Sequence, residues 1–282
     1  VNMKVGVFDS GIGGITILRE ITKKLDNAEI VYLCDNKNLP YGDKTIEFIK
    51  DRLNLMLKHF WNKGCKVVFI GCHSAASVYL KYKEELTISG MHVIDTIIPT
   101  CAHLNALPQL CIGIMATDRT IRDKAYNKHL NGHEILEFPS SSLASVIEMQ
   151  KHHDTDETVS VVEIKESLHK LLQEILDEGR LKMISKMILA CTHYPHIVDE
   201  IKHWIEQHTK NCEVIDPANV IVSSAIFGKE LNGRDATSES ESENKISFFT
   251  TGNTDALSLF CEHSALMREE GLSNYSIERV EL

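Results

Sequence analysis

The chain has 282 residues, 43% of them hydrophobic and 25% charged, an ordinary balance for a globular protein and long enough for two domains. A formal net charge of −10 argues against nucleic acid or an anionic membrane surface as a partner, and an anionic substrate would depend on local donors. No apolar run reaches the roughly 20 residues that span a bilayer. The first residues run directly into a strand pattern without a signal peptide, so a cytoplasmic location is expected.

Short β-like runs alternate with helical stretches, which predicts an α/β class with mainly parallel sheets flanked by helices. Strands are expected at residues 5–8 and 29–33 with a helix over 14–25 between them. A long amphipathic helix over 45–62 follows, with Ile46, Ile49, Leu53, Met56, Leu57 and Phe60 near helical spacing. Strands at 66–70 and 92–97 close the first set, the last stopped by Pro99. The second set reads as strand 110–115, helix 120–130, strand 134–138 and a helix over 158–178 ended by Gly179. Strand 186–190, strand 212–215, a helix over 218–231, strand 245–250, a helix over 254–270 and a strand over 275–280 complete the chain. The acidic, Ser-rich stretch 233–244 reads as a solvated loop.

The eight cysteines are scattered without a compact framework and read as reduced thiols. Cys65, Cys111 and Cys212 suit small buried fillers. Cys72 and Cys191 differ from these. Each follows an apolar strand run ending in a small residue, and each is followed by a hydroxyl and an imidazole: Cys72-His73-Ser74 and Cys191-Thr192-His193. Ligand crevices of parallel sheets lie at the carboxyl ends of strands, so both thiols are expected to face such crevices. Two thiols on one cavity suit moving a proton from one face of a carbon to the other.

Other chemistries fit less well. The turn Asp9-Ser10-Gly11-Ile12-Gly13-Gly14 opens the first helix, but Thr16 stands where a dinucleotide fingerprint needs glycine, and the Walker lysine is missing. Its backbone N–H groups could still hold a carboxylate. Asp35 and Pro40-Tyr41-Gly42 mark a second loop at a strand end. The Cys-His pairs lack the spacing of zinc sites, so no metal is expected, and His152-His153-Asp154 reads as exposed surface. A cysteine protease needs one such thiol; here there are two.

Taken together these segments resemble glutamate racemase. The similarity rests on residues 7–14, Asp35 through Gly42, the Cys72 block, Thr117 through Tyr126, and Ile188-Leu189-Ala190-Cys191-Thr192-His193-Tyr194-Pro195, with Phe248-Phe249-Thr250-Thr251-Gly252 also similar. The resemblance implies two pseudo-symmetric α/β domains with the active site in the cleft between them: residues 1–98 plus 212–282, and residues 99–211. It implies a cofactor-independent isomerase that supplies D-glutamate for peptidoglycan. Cys72 would act on D-glutamate with help from Asp9, and Cys191 on L-glutamate with help from His193. Ser10, Pro40, Tyr41, Gly42, His73, Ser74, Thr117, Thr120 and Thr192 would bind the substrate. Asp35 and Glu148 would be supporting acids. The partner is a small amino acid, neither nucleic acid nor membrane, and a homodimer is left open.

Three features depart from the family pattern. His73-Ser74 stand where Asn-Thr is usual, Ala116 and Arg119 flank Thr117, and Asn36–Leu39 differ before Pro-Tyr-Gly. Arg119 would pair with a carboxylate or fill the pocket if it faces the cleft, and do neither if it faces solvent. A racemase for another amino acid, such as aspartate, and a non-catalytic amino-acid-binding homologue are the alternatives.

Overall fold

A computed structural model describes residues 3–25, 27–152, 166, 168–171, 173, 179–228, 231, 244–263 and 275–282. Ten strands form two all-parallel sheets. They are β1 (Lys4–Asp9), β2 (Glu29–Cys34), β3 (Val67–Ile70), β4 (His92–Asp95), β5 (Cys111–Ala116), β6 (Glu134–Pro139), β7 (Lys186–Ala190), β8 (Glu213–Ile215), β9 (Lys245–Thr250) and β10 (Tyr275–Arg279). The larger sheet runs β10-β9-β2-β1-β3-β4 and the smaller β6-β5-β7-β8. Both contain the same order, second-first-third-fourth, so β1 corresponds to β5 and β3 to β7. The expected α/β pattern of two related parallel sheets is what the chain adopts.

The central strands are apolar along most of their length because both faces are covered, whereas the edge strands β6 and β10 carry exposed polar residues. On the larger sheet, Val5, Val7, Ile30, Tyr32, Val67 and Phe69 face a core with helix α1 (Ile15–Lys24) and the helix Pro217–Phe227. Phe8, Val31, Leu33, Val68 and Ile70 face the opposite way, onto α2 (Ile46–Asn62) and α3 (His73–Lys81). That second core also takes in Ile112, Ile114, Ala116, Ile188 and Ala190 of the smaller sheet. One apolar layer therefore joins the two sheets and fixes their carboxyl ends relative to each other. Thr45 caps α2 by accepting from the Phe48 N–H at 3.2 Å.

Several expectations need correction. Strand β8 pairs with β7, so the smaller sheet extends to Ile215, past the return to the first unit expected at 212. Pro99 does not end the segment in a loop; it sits in the first turn of α5 (Ile98–Asn105), where its missing N–H has no helical partner to lose. The helix expected over 120–130 shortens to α6 (Asp118–Arg122), followed by turns with Lys124 at φ 51°. The sequence reading also missed α3, the short α4 (Lys83–Leu86), α5, α7 (Ser141–His152) and the helix Val198–His208. Most of the helix expected over 158–178, the 233–243 part of the polar loop, residues 264–270 and the pair His153-Asp154 lie outside the described residues. Among the described residues no helix is long and apolar enough to cross a membrane.

Candidate active site

In each sheet the chain leaves the first strand, pairs on one side, and returns to pair on the other. Such a switch point opens a crevice at the strand carboxyl ends. Here the crevices beside β1/β3 and β5/β7 face each other and form one cavity, about 330 Å³ with its mouth included. Cys72, two residues past the end of β3, and Cys191, directly after β7, both line it. All eight cysteines are free.

Ser10, Pro40, Tyr41, Gly42, His73, Ser74, Thr117, Thr192 and His193 complete the lining, together with Ala144, which sequence reasoning missed. Thr120 lies just behind, its Oγ1 at 3.4 Å from Thr117 Oγ1. Asp9 is fully buried beneath the cavity rather than on its wall. Glu148, one helical turn beyond Ala144 on α7, lies behind His193. That i, i+4 pairing is the signal through which Ala144 was findable.

The glycines of the Asp9–Gly14 turn serve close approach, not a phosphate. A Cβ on Gly13 would stand 2.4 Å from Thr192 Oγ1, and one on Gly11 would stand 2.7 Å from Glu148 Oε1. The first sheet's loop is thereby pressed against the segment that follows β7. Thr192 Oγ1 donates to Asp9 Oδ2 at 2.9 Å across that junction, and the Gly11 N–H donates to Asp9 Oδ1 at 2.9 Å. On the other wall Ser74 and Thr117 hydroxyls meet at 2.8 Å, again joining the two sheets.

The two thiols have different surroundings. Cys72 caps the N-terminus of α3; burial, and then the Asp9 carboxylate, push its thiol up to about 12, against a Ser10 hydrogen bond and the Ala75 N–H. Cys191 Sγ lies 3.5 Å from His193 Nδ1, and His193 Nε2 is paired with Glu148. Burial works against a charged His193, but Glu148 and Cys191 outweigh it and hold the imidazolium well above its usual range. Burial pushes Asp9 up to about 6 despite the pull of His193.

Asp35 was expected as a supporting acid near the substrate. It does not itself line the cavity: Arg52 donates to it through Nε at 2.8 Å and Nη2 at 2.9 Å, as do Thr251 Oγ1 at 2.6 Å and the OH of Tyr41, which lines the cavity, at 2.5 Å. It acts on the site only by fixing Tyr41. The Thr250–Gly252 segment supports that loop, since Thr250 Oγ1 donates to Asn36 Oδ1 at 2.6 Å. Arg119 does not reach the cavity. Its Nη2 donates to the Lys44 carbonyl at 2.7 Å, tying α6 to the Tyr41–Asp43 turn. Among the described residues no group of three or more His, Cys, Asp or Glu is placed to hold a metal ion.

Comparison with known proteins matches residues 14–225 to the family described as Asp/Glu/Hydantoin racemase. A glutamate racemase of Ralstonia pickettii is 32% identical over 70% of this chain and 67% of its own length. One from Lactobacillus acidophilus is 27% identical over 90% of each chain. Among solved structures, glutamate racemase isoform RacE1 from Bacillus anthracis superposes with a TM-score of 0.77 at 25% identity, covering 99% of this chain and 98% of its own.

Proposed function

Since the chain belongs to the Asp/Glu/hydantoin racemase family, and is on that ground an isomerase, we propose that it interconverts L- and D-glutamate without a cofactor by proton transfer between Cys72 and Cys191. The observation that carries this reading is that both cysteines line one cavity from corresponding strand ends of two related sheets. We read those sheets as two α/β units, the smaller inserted into the larger, in a cytoplasmic enzyme whose D-glutamate feeds peptidoglycan synthesis.

The α-proton of an amino acid is weakly acidic, so the site must stabilise negative charge developing at Cα. The Ser10 hydroxyl and the Ser74–Thr117 hydroxyl pair border the cavity and supply neutral donors for the carboxylates, while the Thr192 hydroxyl is committed to Asp9. With L-glutamate bound, Cys191 takes the α-proton as thiolate, and the His193 imidazolium faces the charge that sulfur carries. Cys72, held as a thiol by its burial, delivers its own proton to the opposite face. The C–H bond to the first sulfur breaks, a C–H bond from the second forms, and the configuration inverts. In the reverse direction Cys72 must carry the charge, assisted by Ser10 and the Ala75 N–H. Asp9, raised to about 6, is then able to take up a proton beside it. A bound substrate is shielded from water by the closely joined loops around it.

Circular dichroism of each glutamate enantiomer, run alongside aspartate, tests this. Inversion of glutamate supports it, and inversion of aspartate with glutamate inert assigns the chain to the other substrate. Binding of glutamate without any inversion would make it an amino-acid-binding homologue.

A further inference from the structure

Behind the candidate active cavity lies a second, smaller one, about 190 Å³ with its mouth included, and His73 and Thr192 border both. Its wall also takes Thr16 and Ile17 from α1, Thr96 from the end of β4, and Asp216, the cap of the helix Pro217–Phe227. Its enclosed space is of the size of a single water and too small for an organic ligand. Two of its polar side chains are almost fully enclosed, His73 at 3% exposure and Thr96 at 1%. Both ring nitrogens of His73 and the Thr96 Oγ1 have no hydrogen-bond partner among the described residues. Each buried polar atom left unpaired costs about 1–3 kcal/mol, so three around one cavity point to a bound molecule. The neighbouring hydroxyls are already committed: Thr16 donates to the Gly13 carbonyl at 3.1 Å and Thr192 to Asp9.

We propose that this rear cavity binds an ordered water that joins Thr96 and Asp216 to His73 and so fixes which ring nitrogen of His73 carries the hydrogen. Asp216 is the carboxylate on this wall, accepting the Ala218 N–H at 3.0 Å through Oδ1. A water beside it donates toward the carboxylate and the Thr96 hydroxyl, and accepts the N–H of His73. Burial pushes His73 down to about 3, so the ring is neutral and only one nitrogen is protonated. With that hydrogen held at the rear, the second nitrogen is left as an acceptor for the active cavity, where an amino acid brings an ammonium group. Thr96 and Asp216 are thus positioning residues. What the free nitrogen meets rests on the racemase reading, whereas the tautomer itself does not.

The test is long-range ¹H–¹⁵N correlation of the ligand-free protein labelled at histidine, with His73 assigned by comparison with His73→Gln. One neutral tautomer is expected in the wild type from pH 5 to 8. Thr96→Val and Asp216→Asn should each give a mixture or the opposite tautomer, and Thr96→Ser should keep the wild-type pattern. For glutamate, Thr96→Val should raise KM about three- to tenfold, as for one lost hydrogen bond, with kcat less affected. A His73 ring pattern unchanged in both Thr96→Val and Asp216→Asn overturns the proposal. If the ring responds but the wild type does not invert glutamate, the water link stands and the racemase reading falls.

Discussion

Asp9 offers a quantitative test of how charge is stored under the site. The side chain is fully buried, and burial pushes its carboxyl from 3.8 to about 6. A raised value means that the folded protein holds the proton more tightly than the unfolded chain does. Below pH 3.8 the group is protonated in both states and imposes no charge penalty. Between 3.8 and 6 the unfolded chain ionises first, and above 6 the full penalty of a buried carboxylate stands, about 3 kcal/mol at 1.36 kcal/mol per tenfold. Asp9→Asn removes the charge and keeps the geometry: its amide oxygen can accept from the Gly11 N–H, and its NH₂ can donate to the Thr192 hydroxyl. Urea unfolding of both proteins between pH 4 and 8 reads the difference. The asparagine variant should gain about 2.4 kcal/mol on the wild type as pH rises from 4 to 7, while losing turnover through Cys72. His193 stays protonated across this window and drops out of the comparison. A stability difference that is flat with pH would refute the reasoning.

Three further substitutions probe the surroundings. Gly13→Ala places a Cβ 2.4 Å from Thr192 Oγ1 and 2.9 Å from the Thr192 carbonyl carbon, and backbone cannot yield as a side chain can. It should cost about 1–3 kcal/mol and most of the activity, and an unchanged urea midpoint with normal turnover counts against the packing described. Arg52→Ala leaves the Asp35 carboxylate buried without its cation; about 3–5 kcal/mol should be lost, with Arg52→Lys milder, and equal midpoints for all three proteins would contradict this. Glu148→Gln leaves the burial of His193 less opposed, so its titration, followed by ¹⁵N NMR, should drop. The stability His193 contributes is complete below pH 6.5 and fades as pH rises through its folded value; a His193 titration that Glu148→Gln does not move rejects that pairing.

The ten described strands were legible in the sequence to within a residue or two; the central ones are buried on both faces and read as unbroken apolar runs, such as Val67–Ile70 and Met187–Ala190. Helices without an amphipathic stripe were not. His73–Lys81 is buried along nearly its whole first two turns, so no polar face marks it. In α6 the helix ends early, where Asp123 accepts from Ser77 Oγ at 2.8 Å and Lys124 turns left-handed. Eleven of the twelve cavity-lining residues were named beforehand: Cys72 and Cys191 stood out at the ends of apolar strand runs, and the others came through the resemblance to glutamate racemase. The partners of Asp35 were not legible, because sequence shows a carboxylate but not that Arg52, seventeen positions on, would pair with it. The orientation of Arg119 was equally out of reach, being set by a carbonyl from the other unit.

The most direct test of opposed sulfurs is deuterium at Cα early in the reaction in D₂O. Starting from unlabelled L-glutamate, the D-glutamate formed should carry deuterium at Cα while the remaining L-glutamate stays protiated, and neither Cys72→Ser nor Cys191→Ser should form the inverted product at a substantial rate. D-glutamate that keeps its original hydrogen, or either serine variant inverting as fast as the wild type, would contradict a proton taken by one sulfur and returned by the other.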